Sequence, residues 1–261
     1  MAGGEEAGRA RAAAVGFSRA EATFSALAGL FMVTLVLTNV IGTKLFVLPL
    51  PEWLHGVAGG PAVTLTSGII TYPITFLLTD TVAEIWGLRR AQFMVWSGFA
   101  MSFVMLLVLQ IAIHLPPSPI WMLESFGLDS AEATQNAFHA TFSNPGTLLF
   151  ASMTAYLVAQ LFDVRLYHFW WRVTGGRHLW LRNNGSTWIS QLVDTIIVNS
   201  IFLRFGLGME WGPIVAIIAA NYVVKVLLAI IDTPLIYAAR IALERWLGIR
   251  HDASRGSAPL A

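Results

Sequence analysis

Six stretches of this chain are apolar over lengths that no ordinary globular core requires: residues 24–48, 63–86, 92–114, 146–169, 188–208 and 213–240. A helix rising 1.5 Å per residue needs about 20 mainly apolar residues to cross the hydrocarbon layer of a bilayer. Strands of a membrane barrel are far shorter and alternate in polarity, and these runs do neither. The expected fold class is therefore an all-α membrane protein with six transmembrane helices. Charge density agrees: 12% of the 261 residues are charged, about half of the roughly 25% usual in soluble domains.

Orientation follows from the arginines. The N-terminal segment carries Arg9, Arg11 and Arg19, the 87–91 turn Arg89 and Arg90, the 165–187 connection Arg165, Arg172, Arg177 and Arg182, and the C-terminal segment Arg240, Arg245, Arg250 and Arg255. The intervening 49–62 and 115–145 connections carry no lysine or arginine. By the positive-inside rule both termini are cytoplasmic, which needs an even number of spans. Tryptophans near the span ends (Trp86, Trp170, Trp171, Trp180, Trp188, Trp211 and Trp246) fit an interfacial belt. The expected organisation is a disordered cytoplasmic tail over 1–22, a six-helix membrane domain over 23–245 and a second cytoplasmic tail over 246–261. The first apolar run is too long for a signal-peptide core and reads as a retained helix. The 115–145 connection, with three prolines and then Glu124, Asp129 and Glu132, reads as a connector or a polar outer cap.

Several function classes are excluded. A net charge of +1 gives no basic field for nucleic acid. There is no cysteine, and the six histidines make no metal-ligand spacing, so neither a metal nor a cofactor is expected. No P-loop, HExxH or GxSxG motif is present, which argues against an enzyme.

The polar residues inside the spans carry the functional signal. Lys44 and Lys225 are the only two lysines, and both fall in apolar segments. A charge at the centre of a spanning helix costs roughly 2.5–3.5 kcal/mol on insertion scales, so such a residue faces a bundle interior or a cavity. Five carboxylates accompany them, Asp80, Glu84, Asp163, Asp194 and Asp232. Glu84 is near the arginine-rich interface and Asp80 one turn deeper, whereas Asp163 could simply pair with Arg165 there. Lys225 and Asp232 share a helix face two turns apart, and Asn39 lies deeper in the first span than Lys44. Gln160 with Asp163, and Gln191 with Asp194, repeat a Q-x-x-D pattern that sets an amide and a carboxylate on one face of two successive helices. Interhelical glue explains such groups singly, at about 0.6 kcal/mol each. Lys225 with Asp194 and Asp232 argues instead for a functional cavity. Pro73 and Pro234, inside the second and sixth spans, add two expected kinks.

Four stretches resemble one family. TNVIGTK over 38–44, TYPITFLLTDTVAEIWGLRRA over 71–91, WLRNNGSTWISQLVDT over 180–195 and NYVVKVLLAIIDTPLIY over 221–237 together look like the queuosine precursor transporters, in order and across about residues 24–240. That resemblance implies a fold like the six-helix vitamin-binding subunits of energy-coupling-factor importers. It also implies uptake across the bacterial inner membrane of 7-cyano-7-deazaguanine or 7-aminomethyl-7-deazaguanine for tRNA modification. A guanine-like base offers two adjacent N–H donors beside a carbonyl. Asp194 or Asp80 suits the donors, Gln191 or Asn39 the carbonyl, and Tyr72 or Phe76 the ring face. Glu84, Gln160, Asp232 and the two lysines complete the expected site, the lysines either touching ligand or balancing the acids. The partners expected are a nucleobase-like small molecule and the lipid bilayer, with a homodimer also open. Two modes of action stay open: a secondary, proton-coupled carrier, or a substrate-binding subunit with a separate energising module. Small residues at Ala22, Ala26 and Gly29 could serve a helix contact with such a module.

Overall fold

The computed structural model describes residues 18–55, 60–174 and 179–248. Most of both expected tails lies outside these residues. Helix α1 (Arg19–Ile41) starts earlier than the apolar run, because Ser18 and Glu21 form a reciprocal capping box. It also ends earlier, at Gly42, where the sequence predicts a span continuing to residue 48.

The segment after α1 corrects the all-helical expectation. Strand β1 (Leu45–Pro49) pairs antiparallel with β2 (Ala62–Thr66), Leu45 opposite Thr66 and Pro49 opposite Ala62. A 3-10 turn (Ser67–Ile70) then leads into α2 (Tyr72–Trp86). The predicted 63–86 span is thus a strand, a turn and a helix of 15 residues, about 22 Å long and too short to cross a bilayer alone. Pro73 sits in the first turn of α2, where its missing N–H costs nothing, so it is a helix start rather than the expected interior kink. Pro234 does lie inside a helix.

Gly87 alone separates α2 from α3 (Leu88–His114), with φ 85° and ψ 166°. That backbone region is essentially reserved for glycine. Gly87→Ala is therefore expected to cost about 1–3 kcal/mol, read as a lower thermal midpoint in detergent; an unchanged midpoint would contradict the role given to this turn.

Helix α3 ends where Leu115 becomes extended before Pro116. The 115–145 connection is more ordered than a bland connector. It holds helix α4 (Ala131–Phe142), capped by Ser130 and tied to the end of α3 by Gln135 Nε2 donating to the Ile113 carbonyl at 2.7 Å. Helices α5 (Pro145–Thr174) and α6 (Leu179–Ile201) come next and pack extensively on each other. A π-helical turn (Phe202–Gly206) widens the end of α6. Helix α7 (Trp211–Leu247) runs 37 residues, about 55 Å and well beyond one bilayer core.

This is a mostly helical membrane protein. Among the described residues, four segments are long and apolar enough to cross a bilayer: Arg19–Ile41, Leu88–His114, Trp188–Gly206 and Trp211–Ile231. Their outward faces carry Phe93, Phe103, Leu107, Val215, Leu227 and similar side chains, all exposed. Such surfaces are stable in lipid and not in water.

The inward faces pack closely. A Cβ on Gly98 of α3 would lie 2.8 Å from Leu35 and 2.9 Å from Phe31 of α1, so glycine permits that helix crossing. Trp86 departs from the expected interfacial belt: it is buried in a core cluster with Phe31, Val82 and Met94. Trp211 and Trp246 are exposed, as a belt requires. Arginine-bearing ends of the helices meet one another. Arg240 of α7 pairs with Glu84 of α2 and with Glu244 one turn on. Arg90 of α3 lies 5.2 Å from the ring centroid of Phe24 in α1.

Candidate functional site

Between the helices lies a cavity of about 470 Å³. Three helices contribute regular stripes of side chains to its lining. Tyr72, Phe76 and Asp80 are spaced by four on α2, Asn221 and Lys225 by four on α7, and Gln191 and Asp194 by three on α6. These spacings stack side chains on one helix face. Asn39, in the last turn of α1, lines the same space, and its amide donates to the Leu35 carbonyl and to Ser102 Oγ. Thr38 and Thr71 hydroxyls meet at 2.6 Å and join the end of α1 to the start of α2.

One cluster dominates the lining. Lys225 Nζ is 2.9 Å from Asp194 Oδ2, with the two side chains 13% and 23% exposed. The same ammonium lies 4.8 Å from the centroid of the Tyr72 ring, a cation–π distance. Tyr72 Oη donates to Gln191 Oε1 at 2.7 Å. The Tyr72 ring sits against Phe76, centroids 4.2 Å apart and planes 35° apart. Ion pairing explains how a lysine and an aspartate can sit between membrane helices, since each offsets much of the other's desolvation. Tyr72 also fixes the Gln191 amide. With Oε1 accepting the phenol, the two Nε2 hydrogens are the groups left to donate elsewhere.

The structure thus brings Asn39, Tyr72, Phe76, Asp80, Gln191, Asp194 and Lys225 to one cavity. Lys44 is not among them. It is exposed just beyond the end of α1, and its backbone carbonyl accepts from Ser67 N and Oγ at 2.8 and 3.0 Å. The reason is the early end of α1: a residue expected near the outer end of a helix instead leads into a strand. Glu84 also lies outside the lining, exposed and paired with Arg240. Backbone positions of Gln160, Asp163 and Asp232 are helical, but their side chains lie outside the described residues.

Sequence reading missed two buried asparagines in the lining. Asn221 Oδ1 accepts from Thr66 Oγ1 at 3.3 Å and so ties β2 to α7. Asn199, on α6, is 4% exposed. The available signal was an asparagine deep inside each apolar run, where an unpaired amide is costly. Ser152 and Tyr156 of α5 and Phe99 of α3 also line the cavity.

Comparison with known proteins agrees with this architecture. A family model described as "putative vitamin uptake transporter" matches residues 66–239. The chain is 30% identical over 179 residues to a "probable queuosine precursor transporter" of Bacillus subtilis (strain 168), covering 68% of this chain and 72% of that protein. No solved structure matches. With its helical membrane architecture and a match running from β2 to near the end of α7, the chain belongs to this vitamin uptake transporter family, alongside the queuosine precursor transporters.

Proposed function

We propose that this protein imports queuosine precursors, 7-cyano-7-deazaguanine or 7-aminomethyl-7-deazaguanine, across the bacterial inner membrane. The observation that carries the reading is the cluster of Asp194, Gln191, Tyr72 and Phe76 on one cavity wall. The Asp194 carboxylate can accept from the two adjacent N–H groups of a guanine-like edge. The Gln191 amide, oriented by Tyr72, can donate to the neighbouring carbonyl. Tyr72 and Phe76 offer an aromatic face for the rings. Lys225, paired with Asp194 at 2.9 Å, holds that carboxylate in place. Asp80, two turns along α2 from Tyr72, also lines the cavity.

In this reading the chain crosses the membrane six times with both termini in the cytoplasm. The four long apolar segments are joined by α5 and by α2, the latter completing its passage with the β-hairpin before it. Clustering of the arginine-bearing helix ends supports that orientation. The carrier is secondary and proton-coupled, the cavity carboxylates offering protonation sites.

Proteoliposomes containing only this chain test the mode of action. They are expected to accumulate a labelled 7-deazaguanine when the lumen is alkaline, and to stop when a protonophore dissipates the gradient. Accumulation indifferent to the gradient would remove the coupling. Ligand binding without any transport would favour the second reading, a binding subunit that needs a separate energising module. The outward face of α1 favours that alternative: Ala22 and Ala26 are exposed there and a Cβ on Gly29 would meet nothing within 4 Å, which leaves room for a close helix contact.

A further inference from the structure

Three asparagines line the cavity from three helices, and all are anchored alike. Asn39 Nδ2 donates to the Leu35 carbonyl at 3.1 Å, Asn199 Nδ2 to the Thr195 carbonyl at 2.8 Å, and Asn221 Nδ2 to the Ile217 carbonyl at 3.0 Å. Each bond reaches back one helical turn. It also fixes which way the amide is turned, because flipping it would set two carbonyl oxygens against each other. The acceptor oxygen is therefore directed away from its own helix. For Asn221 that oxygen accepts from Thr66. For Asn199 it is buried and has no partner among the described residues. A buried acceptor left unmade is costly, and native proteins rarely keep one without a use.

We propose that Asn199 Oδ1 is a second anchor for the ligand, accepting a ring N–H from the edge of a fused bicyclic base opposite the edge held at Gln191 and Asp194. The proposal rests on the base-binding reading above. Asn199 lies five residues beyond Asp194 on α6, about 7.5 Å of helix rise, a separation on the scale of a two-ring base. A free base of this class carries an N–H on its five-membered ring. In a nucleoside that nitrogen bears the sugar and has no hydrogen to give. Asn199 thus makes the site select free bases over nucleosides, because a site built around a hydrogen bond rejects the analogue that cannot make it.

The test uses the full-length purified protein and two ligands, 7-cyano-7-deazaguanine and its derivative methylated on the five-membered-ring nitrogen. Affinities are measured by calorimetry for the wild type, for Asn199→Leu, which keeps the branched shape without the acceptor, and for Asn199→Ala, which removes it without added bulk. The wild type is expected to bind the methylated ligand at least tenfold more weakly. Both variants are expected to lose about tenfold in affinity for the free base, so that the gap between the two ligands narrows. Their melting temperatures without ligand are expected to equal or exceed the wild type's, because an unpaired buried acceptor has been removed. If the free base binds the variants as it binds the wild type, or the gap between ligands is unchanged, the assignment of Asn199 is overturned while the base-binding reading stands. A wild type that binds neither ligand overturns both.

Discussion

Asp194→Asn is expected to lower affinity for a 7-deazaguanine by about 100-fold or more. The carboxylate is replaced by an amide whose NH₂ group would face the ligand's own N–H donors. Two charge-assisted hydrogen bonds, each worth about 1.5–3 kcal/mol, are lost or weakened, and each 1.4 kcal/mol is a factor of ten. Lys225→Met is expected to impair binding as well, by another route. It leaves Asp194 without its 2.9 Å partner, so the carboxylate is no longer held in position for the ligand. Stability separates the two roles. Each single variant strands one charge and is expected to lower stability by about 2–3 kcal/mol, below the 3–5 kcal/mol of a fully buried pair because both side chains retain some exposure. The double variant Asp194→Asn, Lys225→Met strands none and is expected to recover much of that stability without recovering binding. Recovery of binding in the double variant would show that the pair only balances charge and that the ligand is held elsewhere.

Gly42→Val is expected to disrupt the fold around the cavity. A Cβ at this position would lie 2.5 Å from the Thr38 carbonyl oxygen and 2.8 Å from Leu148 Cδ2, with the Gly68 Cα 3.7 Å away. Three elements converge there: the end of α1, the turn after β2, and α5. The Gly42 N–H also donates to that same Thr38 oxygen at 2.8 Å, so a side chain must break the helix terminus or push Leu148 out of its packing. Overpacking of this kind costs about 1–3 kcal/mol, and more where backbone must move. A fall in thermal midpoint with loss of ligand binding is expected. Gly68→Ala should be milder, its nearest neighbour being Thr38 Cγ2 at 3.3 Å. Wild-type stability for Gly42→Val would mean that the close approach of these elements does not hold the site together.

The same corner shows why part of the fold is not legible in the sequence. LFVLP over 45–49 and AVTLT over 62–66 are as apolar as the helices beside them. A short apolar run continuous with a longer one gives no period that separates strand from buried helix. Lys44 is misplaced by sequence for that reason: its neighbours read as membrane, and it stands instead in the link between α1 and β1. The stripes on α2, α6 and α7 are legible, because i, i+3 and i+4 spacing alone sets Tyr72 under Phe76 and Gln191 beside Asp194 once each run is helical. Asn199 is not, because an amide in an apolar run reads equally well as interhelical glue. Its difference from Asn221 lies in what each oxygen meets, which depends on Thr66 being folded back against α7 by the hairpin.

A cavity bounded by Tyr72, Phe76, Gln191, Asp194 and Lys225 that holds a 7-deazaguanine must bind one in preference to other small heterocycles. Calorimetric titration of the purified full-length protein with 7-cyano-7-deazaguanine, 7-aminomethyl-7-deazaguanine, guanine and a panel of vitamins tests this most directly. Saturable binding of at least one deazaguanine is expected, tighter than any vitamin and lost in Asp194→Asn. Tighter binding of a vitamin, or deazaguanine binding that survives Asp194→Asn unchanged, would contradict it.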